Sequence, residues 1–474
     1  MIGVLGMLAC PAWVADTGDP REASEERNEG CVPGGTGPAA LAPPFERMDL
    51  GHAVAVVPAS GTTCPAVFAS GWIGPDYPER PMAFWLREPP VTDGAIIDTA
   101  TAVVVYSPNE EKGASTFGVN VATNADGSLL AVPATYSVGP DAEADEQYRG
   151  FVYLFDGEAA EGTIDETSAV ATLSGTPWDA GCEPCGGIGR ALALGDVTGD
   201  GIDDLALSAP AVTEYYPDGD RGMVWFVPGV GNRGEYDIDE NDRLIEDTFL
   251  RMERFGQSLE IADLNGDGVG DLVVTEPRYE DEAEWGGRVY VFAGPISSIP
   301  LGEPDITIDG GGIDPSKDLY FGAELAVGDA TGDGYADIAV SADYDEELYL
   351  FAGPVESGTH VDAAAVIEAD GQAIPESLDI AGAMDGALPG QIVIGAHQVG
   401  EAGEGAVYLV PAPFAPRMEL AAADATFLGQ RGSHMGSYVA SLGDADGDGE
   451  IDIVAHGYDD SGQDSLWFLY SSGR

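Results

Sequence analysis

The amino-acid sequence predicts an all-β protein, a seven-bladed β-propeller, and three observations support that prediction. Glycine (66) and proline (32) are abundant among the 474 residues, and they separate short apolar runs that show no long helical periodicity. A nine-residue acidic pattern, D-x-[DNT]-G-D-G-x-x-D, occurs four times and leads directly into an apolar run each time. The copies recur at an interval that is typical of propellers and other repeat arrays.

The positions of the acidic patterns set the length of the repeat. They begin at 196, 263, 329 and 444, so the intervals are 67, 66 and 115 residues. The last interval holds one further unit, whose loop at 382–386 has lost its acidic ligands. A unit beginning at Phe117 keeps a relic at 124–127, and a unit beginning near Gly51 has no such loop. The sequence therefore predicts seven units, each with several short strands.

The unit boundaries predict how the chain is divided. Residues 45–474 form the propeller, 16–44 form a disordered acidic tether rich in glycine and proline, and 1–15 form an export signal or lipoprotein anchor. The last unit ends with its third strand. We therefore expect the segment 39–48 to supply its fourth strand and close the ring, which would leave no exposed sheet edge.

Each acidic loop offers oxygen donors in the order that a calcium ion requires. Ca²⁺ takes six to eight hard oxygen ligands in flexible geometry, and glycine at position 6 permits the sharp bend. Side chains at positions 1, 3, 5 and 9 and the carbonyl at position 7 are the expected ligands. They are Asp196, Thr198, Asp200, Ile202, Asp204, Asp263, Asn265, Asp267, Val269, Asp271, Asp329, Thr331, Asp333, Tyr335, Asp337, Asp444, Asp446, Asp448, Glu450 and Asp452.

These loops predict about four structural Ca²⁺ sites. An EF-hand closes at position 12 between helices, whereas these loops close at position 9 between strands. Uncharged Thr198 and Thr331 predict two weaker sites, and the four aspartates of the last loop predict the tightest site. Mg²⁺ is disfavoured because it demands a tighter octahedron. The alternative interpretation is a set of Asp-Gly turns without metal.

The repeats resemble a known family in their Phe-Gly pairs and acidic loops. Phe-Gly pairs at 117–118, 255–256 and 321–322, the acidic loops, and the following Leu207–Pro210 and Thr275–Pro277 segments are similar to FG-GAP repeats. These are the repeats of the integrin α-subunit propeller and its bacterial relatives, and the resemblance covers about residues 45–474. It implies a propeller fold, structural calcium and a protein or glycan partner on the calcium-free face.

The loops between second and third strands should lie on that calcium-free face. Their aromatic residues Tyr215, Tyr216, Tyr279 and Trp285 are the ligand-face candidates, with local packing as the alternative. We find no nucleophile elbow, zinc motif or phosphate-binding loop, and the five histidines are scattered in the sequence. The sequence therefore predicts an adhesion or recognition module rather than an enzyme. A propeller-type polysaccharide lyase or glycoside hydrolase is the alternative, and it needs converging acids with perturbed pKa values in a central cleft.

Charge and cysteine content favour an exported protein. The net charge of −64 repels nucleic acids and anionic lipids. The apolar start ends at Cys10, the lipidation candidate, and an ordinary secretory signal or a meaningless apolar start are the alternatives. We expect a surface or extracellular location, without a transmembrane span. The remaining cysteines are disulfide candidates, Cys182 with Cys185 and Cys31 with Cys64. A redox motif at Cys182 and Cys185 is the less favoured interpretation.

Overall fold

The computed structural model describes the chain as short strands joined by turns. The described residues are 39–42, 48–57, 66–73, 80–86, 95–96, 102–106, 117–118, 120–135, 150–157, 162–164, 166–175, 188–210, 222–230, 234–238, 244, 254–281, 284–297, 301, 303–311, 320–342, 346–369, 375, 377–381, 390–400, 402–423, 425–445, 450–458 and 464–469. Helical structure in these residues consists of 3₁₀ turns such as His360–Asp362 and Leu420–Ala422. The prediction of an all-β protein is confirmed. No helix in the described part of the chain has the length and apolar content needed to cross a membrane.

The first half of the described chain contains strands β1 to β15. Their bounds are β1 (Ala39–Ala42), β2 (Met48–Val57), β3 (Ala66–Ile73), β4 (Arg80–Leu86), β5 (Ala95–Ile96), β6 (Ala102–Tyr106), β7 (Ala122–Thr123), β8 (Leu129–Ala134), β9 (Phe151–Asp156), β10 (Gly162–Ile164), β11 (Ala171–Ser174), β12 (Leu192–Gly195), β13 (Asp204–Ala209), β14 (Met223–Val227) and β15 (Glu235–Asp237).

The second half contains strands β16 to β34. Their bounds are β16 (Leu259–Ala262), β17 (Asp271–Glu276), β18 (Glu280–Asp281), β19 (Glu284–Trp285), β20 (Arg288–Phe292), β21 (Ile306–Asp309), β22 (Phe321–Gly328), β23 (Asp337–Ala342), β24 (Glu347–Phe351), β25 (Gly358–Thr359), β26 (Ala365–Glu368), β27 (Ser377–Ala381), β28 (Gln391–Ala396), β29 (Ala406–Pro411), β30 (Arg417–Glu419), β31 (Ala425–Leu428), β32 (Val439–Gly443), β33 (Asp452–Tyr458) and β34 (Asp464–Leu469).

The strands form seven larger sheets among the described residues, together with the small β18–β19 hairpin. In chain order the sheets begin with β2, β7, β12, β16, β22, β27 and β32, and their first three strands run antiparallel. We number the sheets one to seven in this order. First strands of neighbouring sheets touch, and the contacts run from β2 through β7, β12, β16, β22 and β27 to β32, which touches β2 again.

Several sheets receive an outer strand from the following repeat. Strand β10 lies parallel to β6, β15 to β11, β25 to β21, and β30 to β26. The sequence did not predict this exchange, because two- or three-residue strands carry too little periodicity to be recognised. The exchanged strand covers the edge that each four-stranded unit would otherwise expose.

The N-terminal segment completes the seventh sheet. Strand β1 pairs antiparallel with β34, with Ala39 opposite Phe468 and Leu41 opposite Leu466. Strand β5 then adds in parallel to β1. Strand β1 lies where the predicted tether (16–44) and the predicted closing segment (39–48) overlap. The rest of the tether, the predicted signal and all five cysteines lie outside the described residues.

The hydrophobic core lies between neighbouring sheets. The second strands β8, β13, β17, β23 and β28 are buried along their whole length. Each core cluster combines residues from two adjacent sheets, as Val291 of β20 and Val340 of β23 illustrate. Burying one such side chain contributes roughly 1.5–3 kcal/mol, so the sheets stabilise one another.

The Phe-Gly anchors place each repeat against the preceding sheet. Phe255 is 2% exposed and packs edge-on against Tyr290, with ring centroids 5.7 Å apart. The next residue, Gly256, has a φ of 81°. A Cβ on Gly256 would lie 2.7 Å from the Cβ of Ser208 in the third sheet. Glycine is therefore required both for the backbone conformation and for the close approach.

Candidate metal-binding loops and the opposite loop face

The four acidic loops lie between the first and second strands of their sheets, as the sequence predicted. We name them loop 1 (196–204), loop 2 (263–271), loop 3 (329–337) and loop 4 (444–452); they belong to the third, fourth, fifth and seventh sheets. In each loop the closing aspartate is also the first residue of the second strand. Residues 446–449 of loop 4, which include Asp446 and Asp448, lie outside the described residues.

The first aspartate organises each of loops 1 to 3. In loop 2, Oδ1 of Asp263 accepts hydrogen bonds from the backbone N–H groups of Gly266 (2.7 Å) and Asp267 (3.0 Å), and Oδ2 accepts one from Gly268 (2.7 Å). Asp196 and Asp329 accept the same three bonds in their own loops. The loop therefore curls around its first carboxylate.

The closing aspartate ties each loop to a turn after the third strand. Asp271 is 1% exposed; its Oδ2 accepts a hydrogen bond from the N–H of Leu264 (2.9 Å), and its Oδ1 accepts one from Gly294 (2.8 Å). Asp204 accepts the equivalent bonds from Val197 and Gly229, whereas Asp337 accepts from Thr331, one position further along its loop, and from Gly353. The sequence predicted these aspartates as calcium ligands, and in the structure both oxygens of each also accept backbone hydrogen bonds.

The pKa values of the closing carboxyl groups in loops 2 and 3 also depend on the other charges in those loops. Burial raises the pKa of Asp271, and the nearby charges of Asp267 and Asp263 raise it further. Burial likewise raises the pKa of Asp337, with a further increase from Asp333. Loops 2 and 3 therefore each place like charges close enough to repel one another, an arrangement that a divalent cation would relieve.

The donor atoms fit a hard cation in type. Loops 1 to 3 offer only oxygens, and position 3 is neutral in all of them. In loop 3 the hydroxyl of Thr331 is buried without a well-formed hydrogen bond, although it lies near enough to Asp337 to help lower that carboxyl's pKa. Among the described residues, no three or more His, Cys, Asp or Glu side chains form a group that could hold a metal ion. A cation in these loops would therefore rely on the neutral oxygens at positions 3 and 7 as well as on carboxylates.

The opposite end of the fourth sheet carries a cluster of arginine and tyrosine side chains. The guanidinium carbon of Arg288 lies 3.5 Å from the ring centroid of Tyr279, and that of Arg278 lies 5.8 Å from the ring of Tyr320. Arg288 also forms an ion pair with Asp309 at 2.6 Å. The sequence singled out Tyr279 but missed the arginines, because their stacking depends on how separate strands pack and, for Arg278, on Tyr320 beside the neighbouring sheet.

The other ligand-face candidates are less well defined. Tyr215 and Tyr216 lie outside the described residues. Trp285 lies in β19, which pairs with β18 in the hairpin between the second and third strands of the fourth sheet, but its side chain is not described. The hairpin extends this end of the sheet beyond its core strands.

Two inner strands carry half-buried carboxyl groups that the sequence did not single out. Glu260 lies on β16 and Asp379 on β27, in the fourth and sixth sheets. Burial and then the charge of Asp379 raise the pKa of Glu260 to about 8. Burial raises the pKa of Asp379 to about 6, although the N–H groups of Ser441 (2.6 Å) and Ile380 (2.8 Å) oppose that increase.

Three of the histidines that are scattered in the sequence come together in the structure. The ring centroids of His397 and His434 are 6.0 Å apart, and the rings of His434 and His456 each lie 5.9 Å from Tyr458. Burial and then the other two histidines lower the pKa of His397. The cluster forms because the sixth and seventh sheets are adjacent, which sequence spacing does not reveal.

Comparison with known proteins identifies the repeats. The FG-GAP repeat family matches residues 188–227, 255–292 and 321–355. Integrin alpha-PS2 of Drosophila melanogaster is 34% identical over 178 residues, which are 34% of this chain and 12% of that protein. Human integrin alpha-7 is 39% identical over 127 residues, covering 24% of this chain and 10% of the relative.

A second kind of relative matches part of the chain. Phosphatidylinositol-glycan-specific phospholipase D of Rattus norvegicus is 30% identical over 169 residues, 34% of this chain and 19% of that protein. The chain therefore spans less than a fifth of each of these relatives. A solved prolyl endopeptidase structure covers 87% of this chain at 11% identity, but its TM-score of 0.38 supports no conclusion. FG-GAP repeats are therefore present at residues 188–227, 255–292 and 321–355, and part of the chain is similar to integrin alpha subunits and to this phospholipase D.

Proposed function

We propose that this protein is an exported, calcium-binding, seven-bladed β-propeller that acts as a cell-surface or extracellular recognition module. Seven sheets whose first strands touch in a cycle support the closed ring. The pairing of β1 with β34 supports closure by the N-terminal strand. Removing residues 1–47 should then lower the melting temperature sharply, and an unchanged melting temperature would contradict ring closure.

Calcium has a structural role in this proposal. The loops that would hold it also contain the hydrogen bonds that connect first, second and third strands, through Asp204, Asp271 and Asp337. A cation that binds only the folded loops stabilises the folded state by mass action. It also offsets the repulsion that raises the pKa values of Asp271 and Asp337. Calorimetric titration of the metal-free protein should reveal about four Ca²⁺ sites.

The recognition surface is the end of the sheets opposite the acidic loops. Its strongest support is the stacking of Arg288 on Tyr279 beside Arg278 and Tyr320, since tyrosine and arginine are enriched at binding hot spots. The adjacent β18–β19 hairpin carries Glu280, Asp281, Glu282 and Glu284, and Arg288 is paired with Asp309, so the cluster supplies stacking surfaces and not a net positive charge. A protein or glycan partner would pack against these aromatic rings and guanidinium groups.

A binding screen with matched variants tests this assignment. Protein and glycan arrays are probed with the full chain, with and without calcium, and then with Tyr279→Ala and Tyr335→Ala. We expect Tyr279→Ala to weaken the captured partner about tenfold or more, the scale of a hot-spot residue. Tyr335→Ala alters the opposite end and should leave binding in saturating calcium unchanged. Equal loss in both variants, or loss in neither, would contradict the assignment.

A carbohydrate-active enzyme is the second candidate, and the pair Glu260 and Asp379 favours it. At neutral pH Glu260 would keep its proton while Asp379 would be mostly ionised, which is the division of roles between a general acid and a charged partner. Polysaccharide cleavage that disappears in both Glu260→Gln and Asp379→Asn would support this candidate. Wild-type protein without cleavage of any tested polysaccharide would leave recognition as the supported function.

A further inference from the structure

Loops 1 and 2 are joined by backbone hydrogen bonds between neighbouring sheets. The N–H of Gly270, at position 8 of loop 2, donates to the carbonyl of Asp196, at position 1 of loop 1 (2.9 Å). The N–H of Ile296 donates to the carbonyl of Val197, also at 2.9 Å. The conformation at the start of loop 1 therefore depends on the end of loop 2.

A second contact repeats along the series of loops. The side chain at position 7 of one loop lies over the glycine at position 4 of the loop before it. A Cβ built on Gly199 would be 3.2 Å from Cγ2 of Val269, and one built on Gly266 would be 3.3 Å from Cε1 of Tyr335. Loop 2 thus packs on loop 1, and loop 3 packs on loop 2, through equivalent residues.

The closing aspartate links these contacts to the order of its own loop. Asp271 accepts a hydrogen bond from the N–H of Gly294. In the same turn, the N–H of Ile296 donates a hydrogen bond to loop 1. Ile296 also shares a core cluster with Val197. In the next sheet, Val355 shares a cluster with Leu264 of loop 2. Ordering one loop therefore fixes a turn that contacts the loop before it.

We propose that loops 1, 2 and 3 bind their cations as a coupled set, in which an occupied loop raises the affinity of the loop before it in the chain. This inference rests on the proposed binding of calcium. A cation favours the ordered form of its loop, and the contacts between loops favour order in the neighbour, so the two binding events share free energy. Loop 4 stands outside the set, because the unit between it and loop 3 lacks the nine-residue acidic pattern.

The matched substitutions Asp333→Asn and Asp448→Asn test the coupling. Each removes the position 5 carboxylate of one loop, loop 3 or loop 4. Hydrogen exchange of peptides covering 263–271 reports loop 2 during a calcium titration of the full chain. We expect Asp333→Asn to shift the midpoint of loop 2 protection to about fivefold higher calcium or more, the lower end of typical coupling. Asp448→Asn should leave that midpoint unchanged.

A third variant removes the contact between loops 2 and 3 without removing any side-chain ligand. Tyr335→Ala keeps every side-chain ligand of loop 3 and removes only the ring that lies on Gly266. Since Tyr335 is 39% exposed, its loss leaves the core intact. We expect it to shift the midpoint of loop 2 in the same direction as Asp333→Asn.

Three outcomes would overturn the proposal, and the measurements distinguish them. An unchanged midpoint for loop 2 in both Asp333→Asn and Tyr335→Ala, while loop 3 itself weakens in Asp333→Asn, would show independent calcium sites. An absence of calcium-dependent protection in every loop of the wild-type chain would overturn the proposed calcium function as well. A shift of loop 2 in Asp448→Asn equal to that in Asp333→Asn would show a global effect on stability instead of coupling between neighbours.

Discussion

Loop 2 and the relic turn at 124–127 occupy the same place in their sheets but are held together differently. Loop 2 surrounds several carboxylates, whose mutual repulsion raises the pKa of Asp271. The relic relies on one amide: Oδ1 of Asn124 accepts from the N–H of Leu129 (2.9 Å), and its Nδ2 donates to Ser128 (2.9 Å) and to Asp203 of loop 1 (2.8 Å). A repeat can therefore keep this turn without a cation when an amide supplies both donor and acceptor.

Calcium removal should give the largest difference between the two turns. Each occupied site stabilises the folded state by ~2.7 kcal/mol at a hundredfold excess over its Kd, and four sites add to a large total. Chelation should therefore lower Tm and strip hydrogen-exchange protection from 263–276, while 124–134 stays protected. Equal loss of protection in both segments would contradict the distinction.

Replacing the closing aspartate, Asp271, tests how much its hydrogen bonds stabilise loop 2. Asp271→Ala removes the acceptor for two backbone N–H groups, and each unsatisfied buried donor costs about 1–3 kcal/mol, so we expect a loss of about 2–6 kcal/mol. Asn124→Ala leaves one buried backbone donor, that of Leu129, without its acceptor. Urea denaturation in the presence of calcium should therefore show a larger loss of unfolding free energy for Asp271→Ala than for Asn124→Ala. The reverse order would contradict the distinction between the two turns.

Introducing a charge into the relic tests why it uses an amide. Asn124→Asp replaces a donor to Asp203 with a second carboxylate, and we expect a loss of about 1–2 kcal/mol from the missing bond and the repulsion. Adding Asp203→Asn restores a donor between the two positions. Stability should therefore recover in the double variant. Additive losses would show that the two side chains do not interact.

The pH dependence of stability should differ in sign between the two turns, although the effect is small. In metal-free protein the pKa of Asp271 is raised, so its contribution is fully present below about 3.8 and is lost as pH rises through the raised pKa. Hydrogen bonds from Ser128 lower the pKa of Asp126, so its contribution is present above about 3.8 and is lost as pH falls through the lowered value.

Melting curves of metal-free variants measure this difference. From pH 7 to 4, wild type should gain Tm relative to Asp271→Asn, because the substituted group no longer titrates. Below pH 3.8, wild type should instead lose Tm relative to Asp126→Asn. The same direction of change in both comparisons would contradict the pKa shifts.

The strong repeats could be found in the sequence because their chemistry is local. Loop 2 lies within nine residues, and its glycines, aspartates and following apolar strand carry the pattern without help from the rest of the chain. The Phe255-Gly256 anchor is equally local, since two adjacent residues mark the repeat; the structure adds that the ring is buried and that Gly256 has a positive φ. The contacts of Arg288 with Tyr279 and Asp309 could not be found, since they depend on how separate strands pack.

The sequence by itself determined the all-β class, the repeat length and the place of each acidic loop between two strands. Each of these follows from local patterns of glycine, aspartate and apolar residues. Tertiary structure alone decided the register in which β1 pairs with β34, the bond from Gly270 to Asp196, and the effect of the charge of Asp379 on Glu260. The physical reason is distance along the chain: these partners are brought together only when neighbouring sheets bury their shared core.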